Sequence, residues 1–313
     1  MNYKAYLQSR NHKETPSGII NIYKEKGWSS FDVANKIKHI CRVNKSGHTG
    51  TLDPQAEGVL PICIGKATKV VEFLTDKDKI YEASCMLGIA TDTQDHTGIV
   101  LTKNAVNVTT EAVVEALKSF IGDIKQMPPM FSALKHKGRR LYKIAREGNV
   151  VERKKRSITI YDITNIVVEL PVIHFTVACS KGTYIRTICH DLGEMLGTGG
   201  HMIGLKRTKV GEFNVDSSYT IEGLQDYLST HTLDSILKPL DSVFYNYPAV
   251  MVESSFNKWL FNGCKIPVEF TNHTETLAET MYRVYDEENN FMGLYDVITK
   301  DDNRIFRPVK VFI

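Results

Sequence analysis

Apolar residues recur along the chain in two periods. Blocks such as 18–23 (GIINIY) and 58–65 (GVLPICIG) are short, rich in branched side chains and bounded by glycine, which is the pattern of buried strands. Val33, Ala34, Ile37, Ile40 and Cys41 instead recur at helical steps behind Ser29 and Ser30, predicting an amphipathic helix capped by a hydroxyl. Further helices are predicted over 66–74, from Thr109/Thr110 to about residue 121, and over 183–196. Strands are predicted over 80–89, 157–169, 172–180 and near 202–205, with Pro171 at the turn between the second and third. Strands outnumber helices and are interrupted irregularly. The expected class is therefore α+β, a mainly antiparallel sheet flanked by helices.

The pattern changes from about residue 239. Short strand-like pieces at 249–252, 280–284, 291–295 and 309–312 alternate with turns such as Asn289-Asn290. The expected organisation is a polar, mobile tail over 1–17, a main domain over 18–240 and a small β-rich domain over 241–313. No apolar run reaches the roughly 18 residues of a membrane span, and the N-terminal stretch lacks the apolar centre of a signal peptide. Cys41, Cys63, Cys85, Cys179, Cys189 and Cys264 are scattered, without a CxxC pair or a Cys/His cluster. That spacing predicts reduced core cysteines, a cytoplasmic protein and no metal site.

The net charge of +3 is informative only once it is located. Residues 135–156 carry ten Lys/Arg, among them Arg139, Arg140, Lys154 and Lys155, against Glu147 and Glu152. This surplus of eight leaves the remainder of the chain five below neutral. A patch of this kind, with Met127-Pro128-Pro129-Met130-Phe131 and Tyr142 beside it, suits a nucleic-acid partner.

Candidate chemistry centres on Gly47-His48-Thr49-Gly50-Thr51-Leu52-Asp53-Pro54. The glycines permit close backbone approach, and Pro54 restricts the residue before it. Asp53 is thus expected in a pre-set conformation beside a buried strand, where a nucleophile or general base is useful. An Asx-turn is the plainer reading of an isolated Asp-Pro.

Residues 47–69 (GHTGTLDPQAEGVLPICIGKATK) resemble the catalytic block of the TruB family of tRNA pseudouridine synthases. Four further stretches resemble that family in its order: 24–33 (KEKGWSSFDV), 79–98 (KIYEASCMLGIATDTQDHTG), the basic insertion at 127–156 and 179–213. The resemblance implies a pseudouridine synthase fold with a PUA-like RNA-binding domain at the C-terminus. It implies that Asp53 is the essential carboxylate, Arg186 its arginine partner and Tyr81 an active-site ring that stacks on uracil. His48 would fill the place of the flipped base, Leu205 would line the uracil pocket, and Lys24 would be the lysine of the N-terminal motif, followed here by Glu25 where the family has proline. Asp92 and Asp95 match the family's acidic turn. The basic insertion would clamp RNA.

The implied reaction detaches uracil from C1′, turns it and rejoins it through C5. The glycosidic bond energy is conserved, so no cofactor is expected. A carboxylate could add to C6, trap positive charge at C1′ or remove a sugar proton, and the sequence leaves these routes open. The implied substrate is the T-loop uridine 55 of tRNA, bound through the T-arm by a monomer with no membrane and no obligate protein partner. The alternatives are an RNA-folding protein whose catalysis is not required and a guide-dependent synthase acting on ribosomal RNA.

Overall fold

Strand β1 (Gly18–Lys24) opens the fold, and helix α1 (Ser30–Ile40) follows behind Ser29, whose hydroxyl accepts from the Asp32 N–H at 3.1 Å. The computed structural model describes residues 15–272, 280–300 and 303–312. Of the tail expected over 1–17, residues 1–14 lie outside the described residues, while the Ser17 hydroxyl accepts from the Lys66 N–H at 3.0 Å. Strands β2 (Ser46–His48) and β3 (Glu57–Ile64) flank the Asp53 turn. The segment predicted as helix over 66–74 is a 3-10 turn over Gly65–Val70 running into a short α-helix, Val71–Thr75. Gly65 at φ +59 bends the chain out of β3 there.

The remaining order is β4 (Lys79–Leu87), a hairpin of β5 (Ile89–Thr91) and β6 (Val100–Lys103), α2 (Thr110–Lys118) and β7 (Gly122–Gln126). Then come α3 (Leu141–Arg146), β8 (Arg156–Glu169), β9 (Val172–Cys179), α4 (Ile185–Met195), β10 (Gly200–Val210), β11 (Phe213–Asn214) and α5 (Ile221–Thr230). The predicted strand 80–89 ends at Leu87 because Gly88 turns at φ +90. β8 and β9 pair antiparallel across Pro171 as predicted.

The main sheet runs β1-β3-β10-β4-β9-β8-β7, with β2 beside β3 and β11 beside β10. Every pairing in it is antiparallel except the short contact of β10 with β3, so the expected α+β class holds. Its two halves are covered differently. Helices α2 and α4 pack Val113, Leu117, Ile185, Ile188 and Leu192 on Ala83, Cys85, Phe175 and Val177 of the β4–β9 half. The β1–β3 pair buries both faces: Ile20, Ile22, Leu60 and Ile62 meet α1 and α5, while Ile19, Val59 and Cys63 face the other way. Double burial explains why β3 reads as an unbroken apolar run from Gly58 and why the apolar run of β1 is interrupted only by the buried Asn21 before Tyr23.

The C-terminal part forms its own five-stranded sheet of β12 (Ala249–Met251), β13 (Ile266–Pro267), β14 (Met281–Tyr285), β15 (Phe291–Lys300) and β16 (Asn303–Val311), ordered β12-β14-β15-β16-β13. It has a separate core around Leu260, Tyr282, Tyr295 and Phe306. Phe244, Leu294 and Phe312 also join the cluster on the second face of β1–β3, so the two sheets share a core.

Candidate active site

The turn carrying Asp53 is held almost residue by residue. Leu52 donates its N–H to the Ser30 hydroxyl at 2.8 Å, and that hydroxyl donates back to the Leu52 carbonyl at 3.1 Å. The Pro54 carbonyl accepts from the Gly27 N–H at 2.8 Å and from Lys24 Nζ at 3.3 Å, and Lys24 also bonds the Ala56 carbonyl. The Ala56 N–H closes the turn on the Asp53 carbonyl at 3.0 Å. Lys24, Gly27 and Ser30 all come from the N-terminal motif, so that motif serves as the cradle of the Asp53 loop. Ser30, expected as part of the helix cap, is used here, while Ser29 alone caps α1.

Lys24 is 0 % exposed and is enclosed beneath the loop whose carbonyls it bonds. Burial lowers its pKa to about 8, against the pull of the Asp53 charge. The Glu25 side chain points to solvent, and only its carbonyl takes part, accepting from Lys24 at 3.2 Å.

Arg186 comes from the first turn of α4. The Gln126 amide seats that turn, accepting from the Tyr184 N–H at 2.8 Å and donating to the Tyr184 carbonyl at 3.0 Å. Arg186 is 6 % exposed, and its guanidinium is fully engaged. Nε lies 3.2 Å from Asp53 Oδ2, Nη1 lies 3.1 Å from Asp95 Oδ2, and Nη2 donates to the Phe131 carbonyl at 2.8 Å. The Asp53 side chain keeps 39 % of its surface open to the cleft. Protein nevertheless crowds it enough that burial raises its pKa, with Asp95 adding to the rise and Arg186 and Lys24 opposing it.

Asp95 is the inner carboxylate. Burial alone would push it up, but hydrogen bonds from the Thr97 hydroxyl, the Thr93 hydroxyl and the Thr97 N–H, together with Arg186, hold it below the usual range. Asp92 only caps the same turn, accepting from the Ile99 N–H at 2.7 Å. The acidic turn thus splits into one residue that orients the arginine and one that shapes a loop.

Tyr81 is buried, and burial raises its phenol, with the Arg207 charge opposing the rise. It stands directly opposite Arg207 in the β4–β10 ladder, as Ala83 stands opposite half-buried Leu205, so all four side chains leave the sheet on one face. His48 ends β2 half-buried, and burial, Arg207 and Arg140 all lower its pKa.

The basic insertion folds as a small lobe around Met130, Leu141 and Ile144. Arg139, Arg140, Lys154 and Lys155 are all exposed on it. It is bound to Arg186 through the Phe131 carbonyl, and it brings the Arg140 charge to bear on His48.

Residues 38–185 match the model of the TruB family pseudouridylate synthase N-terminal domain, and residues 186–245 match that of the tRNA pseudouridylate synthase B C-terminal domain. This chain belongs to the TruB family. Among its relatives, the tRNA pseudouridine synthase B of Clostridium kluyveri is 45 % identical over 296 residues, covering 95 % of this chain and 99 % of that protein. That of Lachnoclostridium phytofermentans is 43 % identical over 95 % of this chain and 100 % of its own length. The fold is also similar to a chain in the crystal structure of a Cbf5-Nop10-Gar1 complex, with TM-score 0.70 and 27 % identity over 95 % of this chain and 85 % of that one.

The structure pairs Asp53 with Arg186, sets Tyr81 within the field of Asp53, and packs Leu205 against the core cluster that holds Tyr81, while His48 lies within the field of Arg207. Two participants escaped the reading of the sequence. The Gln126 amide carries no motif signal. Arg207 does have one, since strand alternation from Leu205 places it on the apolar face.

Proposed function

We propose that this TruB-family pseudouridine synthase isomerises uridine 55 in the T-loop of tRNA, acting as a cytoplasmic monomer without guide RNA or partner protein. The observation that supports this reading is the exposed basic lobe bound through the Phe131 carbonyl to Arg186, which itself pairs with Asp53. Asp53 supplies the oriented carboxylate, and the Tyr81 ring supports the flipped base, where stacking contributes roughly 1–3 kcal/mol per base. His48, kept neutral, can occupy the gap left by extrusion without adding a charge to the RNA interior. The names of the Clostridium relatives support tRNA as the substrate. The β-rich C-terminal domain, PUA-like in strand content, would extend the RNA-binding surface. Among the described residues, no helix is long and apolar enough to cross a membrane.

The test is an unmodified T-arm hairpin with tritium at C5 of its uridines, mixed with the purified chain alone. Tritium release, with one pseudouridine at the T-loop position, is expected. Tight binding without release would favour an RNA-folding role or a requirement for guide RNA.

The lobe makes a separate expectation. Neutralising Arg139, Arg140, Lys154 and Lys155 together should weaken hairpin binding and flatten its salt dependence, by a log–log slope of about 3–4 if each contacts one phosphate. Fluorescence anisotropy between low and physiological salt would measure it, and an unchanged slope would take the lobe out of the interface.

A further inference from the structure

Among the described residues Arg207 heads the fully buried side chains by size, at 1 % exposure, and it bonds the backbone of the Asp53 loop. Its Nε donates to the Val59 carbonyl at 2.7 Å and its Nη2 to the Gly50 carbonyl at 3.2 Å. These two acceptors bracket Asp53, one on each side of the turn. Across the ladder the guanidinium lies beside Tyr81. On its other flank the Arg207 backbone runs against Gly58, where an added Cβ would stand 2.2 Å from the Arg207 carbonyl oxygen. Glycine at φ +107 is what allows β10 to approach β3 at this point.

Among the described residues no carboxylate forms an ion pair with Arg207. A guanidinium buried without a counter-charge is costly, and an apolar side chain of similar volume would fill the space at less expense. Cohesion of the sheet therefore gives no reason for an arginine here. Its planar fork does what an apolar side chain cannot: it fixes two carbonyls on opposite sides of Asp53 while lying against the active-site tyrosine.

We propose that Arg207 is a positioning residue for the isomerisation, setting the distance and angle between the Asp53 carboxylate and the Tyr81 ring. The proposal rests on the synthase reading of the site, which the wild-type control tests independently.

The experiment compares wild type, Arg207→Met and Arg207→Lys in the full chain, measuring thermal melting, hairpin affinity and the single-turnover rate of tritium release. Wild-type release shows that the reading of the function stands. Arg207→Met should melt at or above the wild-type temperature and bind RNA within about threefold, while its single-turnover rate falls about 100-fold, the loss that a misplacement near 1 Å produces. Arg207→Lys, able to reach one carbonyl, should recover part of that rate. A rate near wild type in a well-folded Arg207→Met protein would overturn the proposal. So would a parallel loss of melting temperature and rate in both variants, which would make Arg207 a structural residue only.

Discussion

Asp53→Asn is expected to leave a folded protein that binds its RNA and does not turn it over. The amide keeps the size of the carboxylate but carries no charge to add to C6, to meet positive charge at C1′ or to accept a sugar proton. All three routes therefore close together. The loss should reach about 10⁴-fold or more, as for removal of an essential catalytic group elsewhere. The fold should tolerate the change because Arg186 keeps Asp95 as its counter-charge at 3.1 Å and the Phe131 carbonyl at 2.8 Å. RNA affinity should stay within about tenfold, since the proposed phosphate contacts lie on the lobe and are untouched by this change. Single-turnover tritium release and anisotropy on the same hairpin check both halves. Pseudouridine formation near the wild-type rate would refute Asp53 as the catalytic group.

Arg186→Met should produce the second-largest effect, with opposite pH signatures for activity and stability. In the wild type Arg186 opposes the burial that raises Asp53, and it separates Asp53 from Asp95. Without it the Asp53 carboxyl climbs further, so less carboxylate is present at neutral pH and the acid limb of the rate profile moves to higher pH. Misorientation should cost about 100-fold, and each further pKa unit about tenfold below the new limb.

Stability follows the other sign. A carboxyl whose folded pKa is raised costs nothing below its unfolded pKa and destabilises progressively as pH rises through the folded value. Two carboxylates left facing each other should lower stability at neutral pH by about 3 kcal/mol, the lower end for a broken buried pair because Asp53 is open to the cleft. Melting temperature should thus recover on acidification while activity recovers on alkalinisation. An acid limb coincident with that of the wild type would show that Arg186 does not tune Asp53.

The parts of this site legible in the sequence are those where one residue type does one job at a fixed offset. Asp53 before proline, Ser29 before an apolar helical stripe and the basic run at 135–156 are all of that kind. The juxtaposition of Asp53 with Arg186, 133 residues away, came from motif resemblance, because no local pattern encodes a contact of that range. What stayed hidden depends on burial of polar groups. The burial of Lys24 is not visible in the motif that marks it, that of Arg207 shows only through strand alternation from Leu205, and Gln126 has no signature apart from the backbone it satisfies. Strand β10 runs on to Val210 through Lys206, Arg207, Thr208 and Lys209, whose polarity masks its pairing with β4. Helix α5 was not read from the sequence, having only two fully buried residues, Ile221 and Leu224.

The core shared between the two sheets bears on how such a protein can change over time. Ile19, Val59, Cys63, Val210 and Phe213 of the catalytic half lie in one apolar cluster with Phe244, Leu294 and Phe312, and Lys310 reaches Glu72 at 2.6 Å across the same seam. The strand that leads out of the Asp53 turn, β3, is thus covered on one face by the small domain. A lineage that shed or exchanged the small domain would need to repaint this whole face with polar residues at once. The C-terminal strands and the main sheet therefore stand or fall together across that seam, each covering apolar surface the other would otherwise expose.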